Sequence, residues 1–171
     1  INLSHKFLRM RARPKILLCT TYEEAWDFFE KYENYILGVI SDIDFQRGAR
    51  PDPRAGIEFA KNVKARQSDI PILLQSNTSE FEAQTRMLGA SFLLKDSPML
   101  LHELRQFMIH YFSFGDFVFR TPEGVEVGRA TDLKSLEDQL KFVPDESIKY
   151  HAERNHFSNW LKARTEFWLA H

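Results

Sequence analysis

Four short apolar runs, Lys15–Thr20 (KILLCT), Tyr35–Ile40 (YILGVI), Pro71–Ser76 (PILLQS) and Ser91–Leu94 (SFLL), alternate with segments of helical periodicity. This alternation constrains the fold more than any other feature. A continuous apolar run of strand length is what a strand buried on both faces of a parallel sheet requires. Between the runs, Tyr22–Tyr32 places Ala25, Trp26, Phe29 and Tyr32 on one helical face. Ile57–Arg66, Phe81–Leu88 and Leu100–Phe112 read as three more helices, the second closed by Gly89 in the C-cap place. The order βαβαβαβα predicts a doubly wound α/β domain with helices on both faces of the sheet.

The flanks read differently. Residues 5–13 (HKFLRMRAR) predict the end of an upstream helix stopped by Pro14. Beyond Phe112, Asp116–Arg120 and Val125–Arg129 joined by Thr121-Pro-Glu-Gly124 predict a hairpin. Asp132 caps a helix through Leu140, Pro144 ends it, and residues 147–170 read as one or two further helices. The expected organisation is thus a helix end over 1–13, an α/β domain over 14–112, and a hairpin plus helical extension over 113–171. In the extension, Phe157, Trp160, Phe167 and Trp168 predict a docking core that packs on the domain or forms a homodimer seam. His151 and His156 are five residues apart, about 500° around one helix, which separates their faces and predicts surface or capping histidines rather than zinc ligands.

Composition narrows the function classes. Lys plus Arg number 23 against 24 Asp plus Glu, so no overall field favours nucleic acid or an anionic membrane. The basic stretch Arg9–Arg13 reads as a solvated helix end without a recognition helix beside it. Cys19 is the single cysteine, which excludes an intrachain disulfide and a thiolate zinc cluster and favours a reducing, cytoplasmic setting. No apolar run reaches the ~20 residues that span a bilayer. The chain opens on Ile1 rather than Met, read as the start of a segment of a longer protein.

Chemistry concentrates at the strand ends. In open α/β sheets, residues that close successive strands meet in one crevice. Asp42, Ser76 and Lys95 hold those places. A carboxylate can attack a phosphoryl group, a hydroxyl can hydrogen-bond its oxygens, and an ammonium can neutralise the remaining charge. The three types together predict an aspartyl-phosphate site, with Mg²⁺ as the screening cation and Asp42 among its ligands.

Asp42 closing an apolar strand, Gly56-Ile-Glu-Phe opening the next helix, Pro71-Ile-Leu-Leu-Gln-Ser76 and Ala90-Ser-Phe-Leu-Leu-Lys95 resemble the receiver domains of bacterial two-component response regulators over about residues 14–112. The resemblance implies a flavodoxin-like fold. It further implies that Asp42 accepts phosphate from a histidine kinase, Ser76 and Lys95 contact it, and the Asp44 backbone carbonyl ligates Mg²⁺. Phe92 matches the aromatic switch position that relays phosphorylation to an attached or partner output domain. Such a domain is a signalling module rather than an enzyme. Residues 145–171 are similar to the segment joining a receiver to the nucleotide-binding part of some phosphoenolpyruvate synthase or pyruvate phosphate dikinase-like proteins.

Receivers also carry an acidic pair after their first strand, and the nearest place here holds Thr20 and Thr21. Thr21 lies 21 residues before Asp42, whereas strand, helix, strand, helix and strand need roughly 45. The expectation is therefore that KILLCT is the second strand of the pattern, with the first strand, first helix and acidic pair upstream of residue 1. Gln46, Asn77 and Asp96 also depart from the family's usual residues, which leaves open a degenerate receiver acting as a phosphate-independent interaction module. A third reading, a haloacid dehalogenase-type phosphohydrolase, draws on Asp42-Ile-Asp44, Ser76 and Lys95, but Gly115-Asp116 has no second acid nearby to complete its late metal-binding motif.

Overall fold

The computed structural model describes residues 15–170, so the helix expected over 1–13 lies outside the described residues. The described chain forms two compact units, one up to Phe107 and one from Met108 onward. The division falls a few residues before the expected boundary after Phe112.

The first unit is mixed α/β. Its elements are α1 (Tyr22–Tyr32), β1 (Val39–Asp42), β2 (Phe45–Arg47), β3 (Arg50–Asp52), α2 (Ala55–Arg66), β4 (Ile72–Ser76), α3 (Glu82–Met87), β5 (Ser91–Leu94) and α4 (Leu100–Tyr111), the last running on past Phe107. Three strands form a parallel sheet in the order β1-β4-β5. The central strand explains its own sequence: Ile72, Leu73 and Leu74 are all buried, as a strand covered on both faces must be. Helix α1 starts where Thr21 Oγ1 accepts the Glu24 N–H at 3.3 Å and Glu24 Oε2 accepts the Thr20 N–H at 2.9 Å, a reciprocal cap of two otherwise unpaired donors. Its apolar face and that of α2 share one aromatic centre. Phe59 makes edge contacts with Tyr22, Trp26 and Phe29, and the fully buried Ala60 and Val63 complete the α2 face.

Three sequence expectations are corrected here. Lys15–Thr20 is not a strand: it has no ladder partner among the described residues, and Ile16 and Leu18 are 90% and 81% exposed. An apolar run becomes a strand only when a neighbour pairs its backbone, and here Thr21 makes just an isolated bridge to Gln46. The second strand begins at Val39 rather than Tyr35, since Glu33–Tyr35 turn as a 3₁₀ segment. Ile40 is 42% exposed because β1 is an edge strand among the described residues, paired with β4 alone. The polar stretch after Asp42, expected as a loop, contains the antiparallel hairpin β2–β3. Gly48, at φ +60°, fills the first of its two turn positions, where a two-residue hairpin calls for a positive φ.

The second unit comprises β6 (Phe117–Arg120), β7 (Glu126–Ala130), α5 (Leu133–Gln139), α6 (Asp145–Ala152), α7 (His156–Ala163) and α8 (Phe167–Ala170). Strands β6 and β7 pair antiparallel across the Thr121–Gly124 turn. Asp132 and Ser135 cap α5 reciprocally, and Pro144 directly precedes α6. Phe117, Phe119 and Trp160 are the aromatic part of the core, with the partly buried Phe157 packed against them. Phe117 stacks on Phe157 with ring centroids 4.8 Å apart, Phe119 is fully buried, and Trp160 is buried with its Nε1–H donated to the Gly115 carbonyl at 3.1 Å. Trp168, expected in this core, is 78% exposed instead. Among the described residues no helix is long and apolar enough to cross a membrane.

Trp160 carries both burial and a hydrogen bond, so Trp160→Ala should cost about 3–5 kcal/mol of stability, whereas Trp168→Ala should change it by less than about 0.5 kcal/mol. Urea unfolding followed by far-UV circular dichroism checks both. Equal effects would contradict the packing described.

Candidate functional site at the strand ends

The register of the parallel sheet determines what meets at its carboxyl edge. Asp42 lies opposite Gln75, and Ser76 lies opposite Leu94, so the last residues of β1, β4 and β5 end nearly level. The ladder continues one step beyond each strand: the Ile43 N–H donates to the Gln75 carbonyl at 3.0 Å and the Lys95 N–H to the Ser76 carbonyl at 2.8 Å. Backbone pairing thus fixes the origins of all three side chains. Lys95 Nζ then reaches Asp42 Oδ2 at 2.7 Å, across 53 residues of sequence.

This ion pair is open to solvent, with side chains 33% and 38% exposed. An exposed pair of this kind contributes only about 0–1 kcal/mol to stability. What it provides is a carboxylate within reach of solvent, held beside a permanent donor of three N–H bonds. Ser76 Oγ accepts the Thr78 N–H at 3.2 Å, which orients the hydroxyl while its own O–H can still donate. Asp44 is exposed just after β1. Phe92, on β5 opposite Leu74, is partly buried and packs against the core of the first unit.

Two features beside the strand ends go beyond the sequence reading. The first is the close approach at Gly56, noted there only as opening the helix. The Gly56 N–H donates to the Ile43 carbonyl at 2.9 Å, and a Cβ there would collide with the Asp42 carbonyl oxygen and come within 2.8 Å of Ile43 Cα. Only glycine lets the start of α2 approach the end of β1 so closely. The second is the hairpin β2–β3, which is tied to α1 rather than left loose. Glu23 carboxylate oxygens accept the Gly48 N–H at 3.0 and 3.1 Å, Phe45 stacks on Tyr22, and the Arg47 guanidinium lies 4.4 Å from the Tyr22 ring centre. The signal for the hairpin was present in Gly48 following Phe45-Gln-Arg; the signal for Glu23 was not, because its partner is a backbone amide 25 residues away.

Among the described residues no group of three or more His, Cys, Asp or Glu is arranged to hold a metal ion. At the strand ends the Asp42 carboxylate is accessible to a hard cation, and the resemblance adds the carbonyl of Asp44 two residues on. Mg²⁺ commonly binds through one or two carboxylates while keeping several waters and taking further oxygens from phosphate, so this donor set fits such a cation as a partial one. Compared with protein-family models, with curated proteins and with solved structures, the chain finds no match.

The close approach at Gly56 makes a sharp prediction. Gly56→Ala should destabilise the chain by about 3 kcal/mol or more, since the colliding atoms are backbone. Lys95→Ala should cost less than about 1 kcal/mol. Chemical denaturation of the two variants distinguishes them, and a neutral Gly56→Ala would refute the approach.

Proposed function

We propose that the first unit is a phosphoacceptor signalling domain of the receiver type, with a flavodoxin-like fold, working in the cytoplasm. The observation that carries this reading is the 2.7 Å pairing of Lys95 with Asp42 at the ends of separate parallel strands, with Ser76 ending the strand between them. Each residue then has a defined task. Asp42 attacks the phosphorus of a phosphohistidine on a kinase; the new bond is P–O, the bond broken is P–N, and the donor imidazole leaves neutral after taking a proton from solvent. Lys95, which donates to Asp42, is within reach of the phosphoryl oxygens that Asp42 would carry and would neutralise the charge that accumulates on them. Ser76 donates its O–H to one of those oxygens. Mg²⁺, held through Asp42 and the Asp44 carbonyl, would screen the carboxylate from the incoming anion. Phosphorylation replaces the Lys95–Asp42 contact with one to the phosphoryl group, and Phe92, on β5 three residues before Lys95, passes that change to an attached or partner output domain, such as a phosphoenolpyruvate synthase-like enzyme.

The test is intact-mass spectrometry of the full chain after incubation with acetyl phosphate and Mg²⁺. One labile phosphoryl group should be gained by the native protein and none by Asp42→Asn. Because the ion pair is exposed, Asp42→Asn should also keep its stability within about 1 kcal/mol of the native chain, which separates lost chemistry from lost folding. No gain by the folded native protein would favour a phosphate-independent interaction module. Steady turnover of a generic phosphate ester would favour a phosphohydrolase.

A further inference from the structure

His151 and His156 fall on different faces if residues 145–163 form one helix, yet their Nδ1 atoms are 2.8 Å apart. The helix is broken between them. Asn155 adopts a left-handed conformation, φ +55°, between α6 and α7, and this turn folds the second histidine back on the first. His151 is also not at the surface. It is buried, with its ring against Phe117, Phe119 and Phe157.

The hydrogen bonds determine where the protons lie. At the register shift between Phe119 and Arg120, the Arg120 backbone N–H turns to His151 Nε2 and donates at 2.8 Å. An amide N–H can only donate, so Nε2 is an acceptor and the neutral His151 ring carries its proton on Nδ1. That proton points at His156 Nδ1, which must accept, so His156 carries its proton on Nε2. Both rings are then neutral and each tautomer is dictated by its neighbour. The same chain of donors excludes a metal bridging the two Nδ1 atoms, because one of them already holds a proton.

We propose that this Arg120–His151–His156 relay is a proton-operated latch that fastens α6 and α7 to the β6–β7 hairpin at neutral pH and loosens that edge of the packing on acidification. A proton added to His151 must go to Nε2, against the Arg120 N–H. A proton added to His156 must go to Nδ1, against the His151 N–H. Either event turns a hydrogen bond into a donor–donor collision. Among the described residues, every charge that acts on the two rings opposes their protonation. His151 faces the Arg120 side chain from β6, Arg154 from beyond α6, and His156 from α7, all of which oppose a positive charge. Arg154 also acts on His156, and Tyr150 presents its ring to both histidines. Glu153 pairs with Lys149 and Arg154. Burial, then His156, Arg120 and Arg154, push His151 down from 6.5 to about 4, and burial followed by Arg154 lowers His156. Since folded values lie below unfolded ones, the stabilisation is complete above about pH 6.5 and is lost as pH falls through about 4.

The test is histidine side-chain NMR on the ¹⁵N-labelled full chain. At neutral pH His151 should be protonated at Nδ1 and His156 at Nε2, and exchange of the Arg120 amide should be slow. Between about pH 7 and about pH 4.5 the exchange of that amide, corrected for its intrinsic pH dependence, should rise at least about tenfold. His156→Asn offers a carbonyl to the His151 N–H without titrating, and should weaken this acid response to the part that His151 carries by itself. Overturning results are a proton on His151 Nε2, titration of either ring at its ordinary value, or an unchanged acid profile in His156→Asn. If that variant fails to fold, the tautomers and titration of the native chain still decide.

Discussion

The parallel ladder of β1, β4 and β5 is the constraint on which the candidate site depends. Its register, with Asp42 opposite Gln75 and Ser76 opposite Leu94, ends the three strands nearly level, and the extra steps at Ile43 and Lys95 carry the backbone into the crevice. A shift of one residue in either pairing would turn a functional side chain to the opposite face of the sheet. The Gly56 approach pins the chain leaving β1, while Ile72, Leu73 and Leu74, buried on both faces, keep the central strand inside the unit. Packing therefore positions the chemistry, and the Asp42–Lys95 pair, exposed and weak as a stabiliser, is a consequence of the frame rather than its cause.

The second unit follows a different logic. Its hairpin is held by an aromatic core of Phe117, Phe119, Phe157 and Trp160, and a polar relay runs along the edge of that core from Arg120 through His151 to His156. Apolar packing is indifferent to protons, whereas the relay is not. The extension thus combines a pH-insensitive core with one proton-sensitive fastening.

Much of this architecture was legible in the sequence because the signals are local. Ser91–Leu94 forms the strand that its apolar run predicts, Gly89 closes α3 with φ +69°, and Asp132 caps α5. The meeting of Asp42 with Lys95, and the place of Ser76 at the end of the strand between, were legible because parallel α/β order dictates which strand ends lie side by side. The misses were non-local. KILLCT has strand composition but no partner among the described residues, and composition cannot report a partner. Gly56 is needed for a close approach to Asp42 that only the folded backbone reveals. The histidine pair was obscured by assuming one continuous helix, when Asn155 in the left-handed region breaks it.

The most direct measurement of the central claim is reductive trapping of the phosphorylated chain. Borohydride converts an aspartyl phosphate to homoserine, and peptide mass spectrometry then locates the altered residue. The account predicts homoserine at position 42 alone, dependent on prior incubation with the phosphodonor and absent in Asp42→Asn. Trapping at Asp44 or another carboxylate, or none in a folded protein, would contradict it.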